Sequence, residues 1–119
     1  MAMLNWFEIP VDDMARARSF YEAIFAFEMH PMDMGELDMC VFPAEMPTGA
    51  LIKGSMCAPS ENGTMVYLNG GEDLSIVLGR VEAAGGSIVV PKTQVTEEIG
   101  YMAVFRDTEG NRVALHSPK

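Results

Sequence analysis

The order of predicted elements along the chain repeats once, and this repeat limits the folds that the chain can adopt. A strand, a helix and three strands are predicted in residues 1–54, and the same order returns in residues 64–119. We therefore expect one domain, residues 1–119, of two βαβββ modules related by an internal pseudo-twofold axis and joined by a linker at 55–63. The residues that a shift of sixty positions aligns are Asp13 with Asp73, Met14 with Leu74, Glu22 with Glu82 and Ala23 with Ala83.

Each module contains one predicted amphipathic helix. Apolar side chains recur at steps of three and four in residues 13–25, and Asp12 or Asp13 can cap this helix. In the second module, a helix with the same spacing follows the acidic residues 72–73 and stops at the glycines 85–86. We expect an α+β fold in which two curved mixed sheets enclose a trough, with one helix outside each sheet.

Strands are predicted where apolar residues alternate or cluster between turn residues. Residues 91–100 are mostly polar and are predicted to form a loop. The predicted strands are residues 4–11, 26–32, 36–42, 49–53, 65–69, 87–90, 101–106 and 112–116.

The charge of the chain argues against several kinds of partner. Seventeen acidic and eight basic residues give a net charge of −9, which repels nucleic acid and anionic membrane surfaces. No apolar run approaches the roughly 18 residues of a membrane-spanning helix, and the first three residues do not resemble a signal peptide. We expect a cytoplasmic protein that binds neither nucleic acid nor membrane, with Cys40 and Cys57 as reduced thiols.

The first predicted strand places a carboxylate on an otherwise apolar surface. Alternation puts Phe7, Ile9 and Val11 on one face, where they are expected to form core. The opposite face carries Trp6 and Glu8. A carboxylate among apolar residues is costly unless it is paired, hydrated or protonated, so this second face is expected to line a cavity.

Several short segments carry a family resemblance. They are Ile-Pro-Val-Asp-Asp at 9–13 with Phe-Tyr at 20–21, Val-Glu-Ala-Ala-Gly-Gly at 81–86 and Phe-Arg-Asp-Thr-Glu-Gly-Asn at 105–111. In this order, and with the internal repeat, they resemble the vicinal oxygen chelate superfamily, the glyoxalase, bleomycin resistance protein and extradiol dioxygenase group. The resemblance covers nearly the whole chain. It implies paired βαβββ modules, a small-molecule ligand in the trough and a homodimer, but it does not imply one activity.

The resemblance also implies that members with catalytic activity hold a divalent metal in the trough through His, Glu or Gln side chains. Here those positions fall on Trp6, Met65 and Ala114, and the strand 49–53 contains neither histidine nor carboxylate. Such a metal prefers oxygen or imidazole ligands, which these residues do not offer. We expect no metal and no other cofactor, with a divalent metal as the alternative.

Two side chains on the trough face form a candidate catalytic pair. Glu8 and His116 each lie two residues beyond a position that the resemblance assigns to a metal ligand. The carboxylate would orient the imidazole, which would then act as a general base. Alternatively, Glu8 bonds a backbone group or water, and His116 frays at the end of the chain.

Six residues are candidates for ligand binding. Trp6 and Tyr67 offer flat aromatic walls for a planar or cationic ligand, and Lys92 would anchor a carboxylate or carbonyl from a mobile loop. Alternatively, the rings only fill the trough and Lys92 is a solvated lysine. The six candidates are Trp6, Tyr67, Met65, Asn69, Lys92 and Ala114.

Three functions are compatible with this sequence. The first is metal-free small-molecule binding of the glyoxalase/bleomycin-resistance type, with the ligand held between the modules. The second is a glyoxalase-like lyase or isomerase, or a dioxygenase-related enzyme, that uses Glu8 and His116 as acid and base groups. The third is a non-catalytic interaction or sensor domain whose trough is filled by its own side chains.

Overall fold

Eight strands and two helices make up the computed structural model, which describes residues 3–119. The first module contains β1 (Phe7–Pro10), α1 (Met14–Phe25), β2 (His30–Met34), β3 (Leu37–Val41) and β4 (Gly49–Lys53). The second contains β5 (Tyr67–Asn69), α2 (Ser75–Leu78), β6 (Ser87–Thr96), β7 (Gly100–Arg106) and β8 (Arg112–Ser117).

The strands form two four-stranded sheets with the same topology, β1-β4-β3-β2 and β5-β8-β7-β6. β1 pairs with β4 and β5 pairs with β8 in parallel, and the remaining neighbours in each sheet are antiparallel. β1 begins at Phe7 and β5 at Tyr67, sixty positions apart. The predicted α+β fold with two mixed sheets is therefore confirmed, although β1, β2 and β5 begin later than predicted, at Phe7, His30 and Tyr67.

The first helix forms where the sequence predicts it. Asp13 has an extended backbone, and its Oδ1 accepts a hydrogen bond from the backbone N of Arg16 at 3.0 Å, which caps the first turn. The chain leaves the helix at Ala26, which adopts a left-handed φ of 56°. The buried residues of α1 are Ala17, Phe20, Tyr21 and Ile24.

The second helix is much shorter than predicted. α2 is a single turn, and hydrogen-bonded turns continue the chain through residues 79–85. The residues at the predicted helical spacing are nevertheless buried, namely Leu74, Val77, Leu78 and Val81. Within residues 3–119, neither helix has the length and apolar character needed to span a membrane.

The prediction of a loop at 91–100 is wrong, because residues 87–96 form one strand. This strand, β6, lies at the edge of the second sheet, and its register with β7 shifts at three places. An irregular edge strand accommodates Pro91, which has no backbone N–H to donate. Lys92 therefore lies on a strand and not on a mobile loop.

One hydrophobic core joins the two modules. Phe20 and Tyr21 of α1 pack against Phe105 of β7, with ring centroids 5.8 and 6.3 Å away. Gly86 lies against the Phe20 ring. A Cβ atom there would be 2.6 Å from the carbonyl oxygen of Arg106 and 2.8 Å from the Phe20 ring. Only glycine fits at this position without a shift of its neighbours.

The variant Gly86→Ala is expected to lower the free energy of unfolding by about 2 kcal/mol, because the added methyl group overpacks the contact between the modules. Gly63→Ala is the control, since a Cβ atom there meets nothing within 4 Å. Urea unfolding measures both variants. A loss for Gly86→Ala no greater than that for Gly63→Ala would contradict the close packing.

Glu109, in the turn between β7 and β8, binds the start of α1. Its Oε1 accepts hydrogen bonds from the backbone N atoms of Asp12 and Asp13 at 2.9 and 2.8 Å. Its Oε2 pairs with Nε of Arg16 at 2.7 Å. Burial alone raises the pKa of Glu109, but the hydrogen bonds from Arg16 and the backbone outweigh burial and hold the pKa at about 2.

Asn111 ends the same turn and connects three segments of the chain. Its Nδ2 donates to the carbonyl oxygen of Pro10 at 2.7 Å and to Oδ2 of Asp107 at 3.0 Å. Its Oδ1 accepts from the backbone N of Ser60 in the linker at 3.0 Å. Asp107 also accepts a 2.8 Å hydrogen bond from the buried hydroxyl of Tyr21, whose pKa burial raises well above its usual value. The turn thus bonds the second module to β1, to α1 and to the linker.

Candidate ligand-binding site

A cavity of about 970 Å³ is lined by β1 and β5, each of which lies at one edge of its sheet, and by the linker between the modules. Most of the lining is apolar. Within the described chain, Glu8 is the one acidic side chain of this lining and Arg112 is the one basic side chain. The cavity therefore combines an apolar interior with one charge of each sign.

Four phenylalanine rings form the aromatic part of the lining. We refer to Phe7, Phe25, Phe27 and Phe42 as the phenylalanine cluster. Phe25 and Phe27 stack with centroids 5.2 Å apart and planes 17° apart. The ring centroid of Phe42 lies 5.7 Å from that of Phe7 and 6.0 Å from that of Phe27. All four rings are partly buried, so they present a continuous apolar surface that suits a flat ligand.

Gly49 makes room for one of these rings. It is the partner of Phe7 across the β1–β4 pair, and a Cβ atom at Gly49 would overlap the Phe7 ring. Alternation along the first strand predicts Phe7 in the core together with Ile9 and Val11. The structure places Ile9 and Val11 in the core, whereas Phe7 is half-buried and lines the cavity.

Five of the predicted site residues line the cavity, namely Trp6, Glu8, Met65, Tyr67 and Asn69. The indole Nε1 of Trp6 donates to Oε2 of Glu8 at 3.3 Å. Trp6 is 40% exposed and Tyr67 is 57% exposed, so both rings are accessible to a bound molecule. Asn69 Oδ1 accepts a 2.9 Å hydrogen bond from the backbone N of Gly71, which orients the amide.

Two of the predicted site residues lie on β8 outside this lining. Ala114 is fully buried beside Tyr67, its partner on β5. His116 lies in regular strand and not at a frayed chain end, and its Nε2 is 2.6 Å from the carbonyl oxygen of Ile99. Among the hydrogen bonds of residues 3–119, that of Glu8 is with Trp6, and no bond joins Glu8 to His116.

Lys92 has partners within its own module. Its Nζ lies 2.9 Å from Oδ1 of Asp73 and 4.7 Å from the centroid of the Tyr101 ring. The hydrogen bond from Lys92 lowers the pKa of Asp73 to about 2, and a hydrogen bond from the backbone of Ser75 acts in the same direction. Lys92 therefore holds β6 to the segment before α2, outside the cavity lining of the described chain.

Arg112 and three members of the phenylalanine cluster line the cavity but are not among the residues predicted from the sequence. Arg112 opens β8, and its Nε donates to the carbonyl oxygen of Glu61 in the linker at 2.6 Å. Period-two alternation places Arg112 on the same face as Ala114 and His116, so this pattern could have identified it. Phe25, Phe27 and Phe42 have no comparable signal, because the first ends α1, the second follows α1 and the third follows β3, so they share no period.

The positions that the resemblance assigns to metal ligands carry unsuitable groups. Trp6 offers an indole N–H that only donates, Met65 offers a thioether, and Ala114 offers a buried methyl group. Across residues 3–119, no three His, Cys, Asp or Glu side chains are grouped so that they could hold a metal ion. The residues present therefore do not fit a divalent metal at this position.

Several solved structures share the fold of this chain. The hypothetical protein SA1046 from S. aureus has a TM-score of 0.72 and 24% identity, with 98% of this chain and 95% of that chain covered. UcmS2 has a TM-score of 0.68 and 26% identity, with 98% of each chain covered. TnmS3, an antibiotic binding protein from Streptomyces sp. CB03234, has a TM-score of 0.68 and 18% identity, with 100% of this chain and 98% of that chain covered.

No curated protein matches the sequence. The family model of the Glyoxalase/Bleomycin resistance protein/Dioxygenase superfamily, in contrast, matches residues 3–115 and therefore extends over both modules. The two sheets with their shared topology agree with that match. The chain belongs to the Glyoxalase/Bleomycin resistance protein/Dioxygenase superfamily.

Proposed function

We propose that this protein binds a small, flat and largely apolar molecule in the cavity between β1 and β5, and that it does so without a metal. The observation that supports this most directly is the cavity with its phenylalanine cluster. A volume of about 970 Å³ is large enough for a drug-sized ligand, and mostly apolar walls with a few polar groups are typical of such sites.

The donor groups in the lining support the metal-free part of the proposal. A ligand in this cavity contacts rings, a thioether and single polar side chains such as Glu8 and Asn69. Affinity would then come from apolar burial and aromatic contact, and orientation from the few polar groups. TnmS3 shares the fold and is described as an antibiotic binding protein, which agrees with a role in binding.

The enzyme hypothesis has less support from the geometry. It requires the carboxylate of Glu8 to orient the imidazole of His116, and the two side chains have other hydrogen-bond partners. The third hypothesis, a trough filled by its own side chains, has less support because Trp6 and Tyr67 leave the cavity open. Binding is thus the function that the described residues favour.

Naphthalen-2-ylmethanol, a neutral flat alcohol, is expected to bind the protein at one site in isothermal titration calorimetry. Tyr67→Ala should weaken this binding about tenfold, because the ligand loses contact with an aromatic ring. Ile76→Ala is the matched control, since Ile76 is 61% exposed, like Tyr67, but lies on α2 outside the lining. Absence of binding, or an equal loss in both variants, would contradict the proposal.

The metal-free part has its own test. The affinity for naphthalen-2-ylmethanol should be the same in EDTA as with added Zn²⁺, Ni²⁺ or Mn²⁺, because the described lining offers these ions one carboxylate and no imidazole or thiolate. Binding that requires one of the metals would overturn this part of the proposal.

A homodimer and a cytoplasmic location also belong to the proposal. β2 and β6 lie at the outer edges of their sheets, and β6 carries the exposed apolar residues Ile88, Val89 and Val95. Edge strands of this kind tend to pair with another chain. Sedimentation equilibrium at several protein concentrations would measure the mass of the assembly.

A further inference from the structure

We propose that the ligand of this cavity is amphoteric, with an acidic group that pairs with Arg112 and a basic group that pairs with Glu8 at separate points of a flat apolar body. This inference rests on the proposed function and adds the charge of the ligand. Its basis is that the two charged side chains of the lining have opposite signs and that neither takes part in an ion pair within the described chain.

Glu8 and Arg112 have opposite charges, and in the described chain neither takes part in an ion pair. The ion pairs of residues 3–119 join Arg16 to Glu109, Arg18 to Glu22, Lys92 to Asp73 and Arg106 to Glu61. Four of the eight basic side chains are thus neutralised inside the protein, whereas the one in the cavity lining is not. A ligand with complementary groups would supply both missing partners.

The surroundings of Arg112 orient its guanidinium group. Its Nε donates to the carbonyl oxygen of Glu61, and the two terminal nitrogens have no hydrogen-bond partner among the described residues. The carboxylate of Glu61 pairs with Arg106 and is therefore not available to neutralise Arg112. A guanidinium fixed through Nε presents its remaining N–H groups to an incoming carboxylate, and this matches the planar geometry of an acidic group.

Glu8, on β1, offers the opposite charge in the cavity lining. Its hydrogen bond from Trp6, at 3.3 Å, leaves most of the acceptor capacity of the carboxylate free. The indole beside it adds a ring face that attracts cations. Because Glu8 lies on β1 and Arg112 on β8, in different sheets, the two charges act on separate parts of a bound molecule.

Four naphthalene compounds with one ring system separate the effects of charge and of apolar contact. They are naphthalen-2-ylmethanol, the anion 2-naphthoate, the cation 2-naphthylmethylammonium and the zwitterion 6-(aminomethyl)-2-naphthoate. In calorimetry with wild-type protein, the zwitterion should bind with the highest affinity and the alcohol with the lowest. Arg112→Gln should weaken the binding of the two carboxylates about tenfold more than that of the ammonium and the alcohol. Glu8→Gln should weaken the binding of the two ammonium compounds by a similar factor relative to the alcohol.

Lys53→Gln and Glu45→Gln are the controls, because they change the net charge equally at exposed positions outside the lining. If the alcohol binds but neither cavity variant changes the order of the four compounds, or the controls change it as much, the amphoteric ligand is excluded while the proposed function stands. If none of the four compounds binds, the proposed function fails, and this inference fails with it. Circular dichroism on each variant confirms that the fold is retained.

Discussion

Replacing Glu109 with alanine is expected to lower the free energy of unfolding by about 3 kcal/mol. The side chain of Glu109 is fully buried, and it accepts hydrogen bonds from two backbone N–H groups at the start of α1 as well as from Arg16. Alanine leaves these donors without an acceptor, and water can reach only part of them, since the side chain of Arg16 is 50% exposed. Urea unfolding of the two proteins measures the loss.

Two further variants make this test specific. Glu109→Gln keeps an acceptor oxygen but removes the charge, so its loss should lie between those of wild type and Glu109→Ala. Glu82→Ala is the control, because Glu82 is exposed, and its effect should stay within about 0.5 kcal/mol. A Glu109→Ala protein as stable as Glu82→Ala would show that the contact between the turn and α1 contributes little to folding.

Glu109 also predicts how stability depends on pH. Its pKa in the folded protein, about 2, lies below its ordinary value of 4.5, so the folded state binds this proton more weakly than the unfolded state. The stabilisation is fully present above the unfolded pKa and is lost as the pH falls through the folded pKa. The gap between wild type and Glu109→Gln should therefore stay constant above about pH 5 and shrink between about pH 5 and pH 2. A gap that grows in acid would contradict the assignment.

The role of Glu109 could not be predicted from the sequence, although the fold could. Alternation and helical spacing are local, and they were sufficient to predict the repeat, α1 and the cavity-facing side of β1. Glu109 stands in a polar turn, which by itself indicates a solvated carboxylate. Its partner Arg16 lies 93 residues away, and only the packing of the second module on the first brings them together.

In the candidate site, too, residues on regular strands could be predicted from local patterns, whereas residues brought together by folding could not. Trp6, Glu8 and Tyr67 were predicted to face the cavity because they follow a two-residue period on strands, and all three line it. The polar character of residues 91–100 predicts a loop at Lys92, but Lys92 lies on the edge strand β6, which tolerates Pro91. Three rings of the phenylalanine cluster were not predicted, because separate segments bring them to one surface after folding.

The second large effect is expected for Asn111→Asp, which should lower the free energy of unfolding by about 3 kcal/mol. Asn111 is buried, and its Nδ2 donates to the carbonyl oxygen of Pro10 and to the carboxylate of Asp107. Aspartate has nearly the same shape but no N–H at neutral pH. Oxygen would then face oxygen in both contacts, and two carboxylates would share one buried turn.

Asn62→Asp is the matched control, because it makes the same chemical change at an exposed position of the linker. Its free energy of unfolding, measured by urea unfolding, should stay within about 0.5 kcal/mol of the wild-type value. Equal losses in the two variants would mean that added negative charge on an acidic chain, and not the position of Asn111, causes the effect. Asn111 also joins β1, the linker and the turn around the cavity. The Asn111→Asp protein should therefore bind naphthalen-2-ylmethanol more weakly than the Asn62→Asp protein. This difference should persist at temperatures where both proteins remain folded.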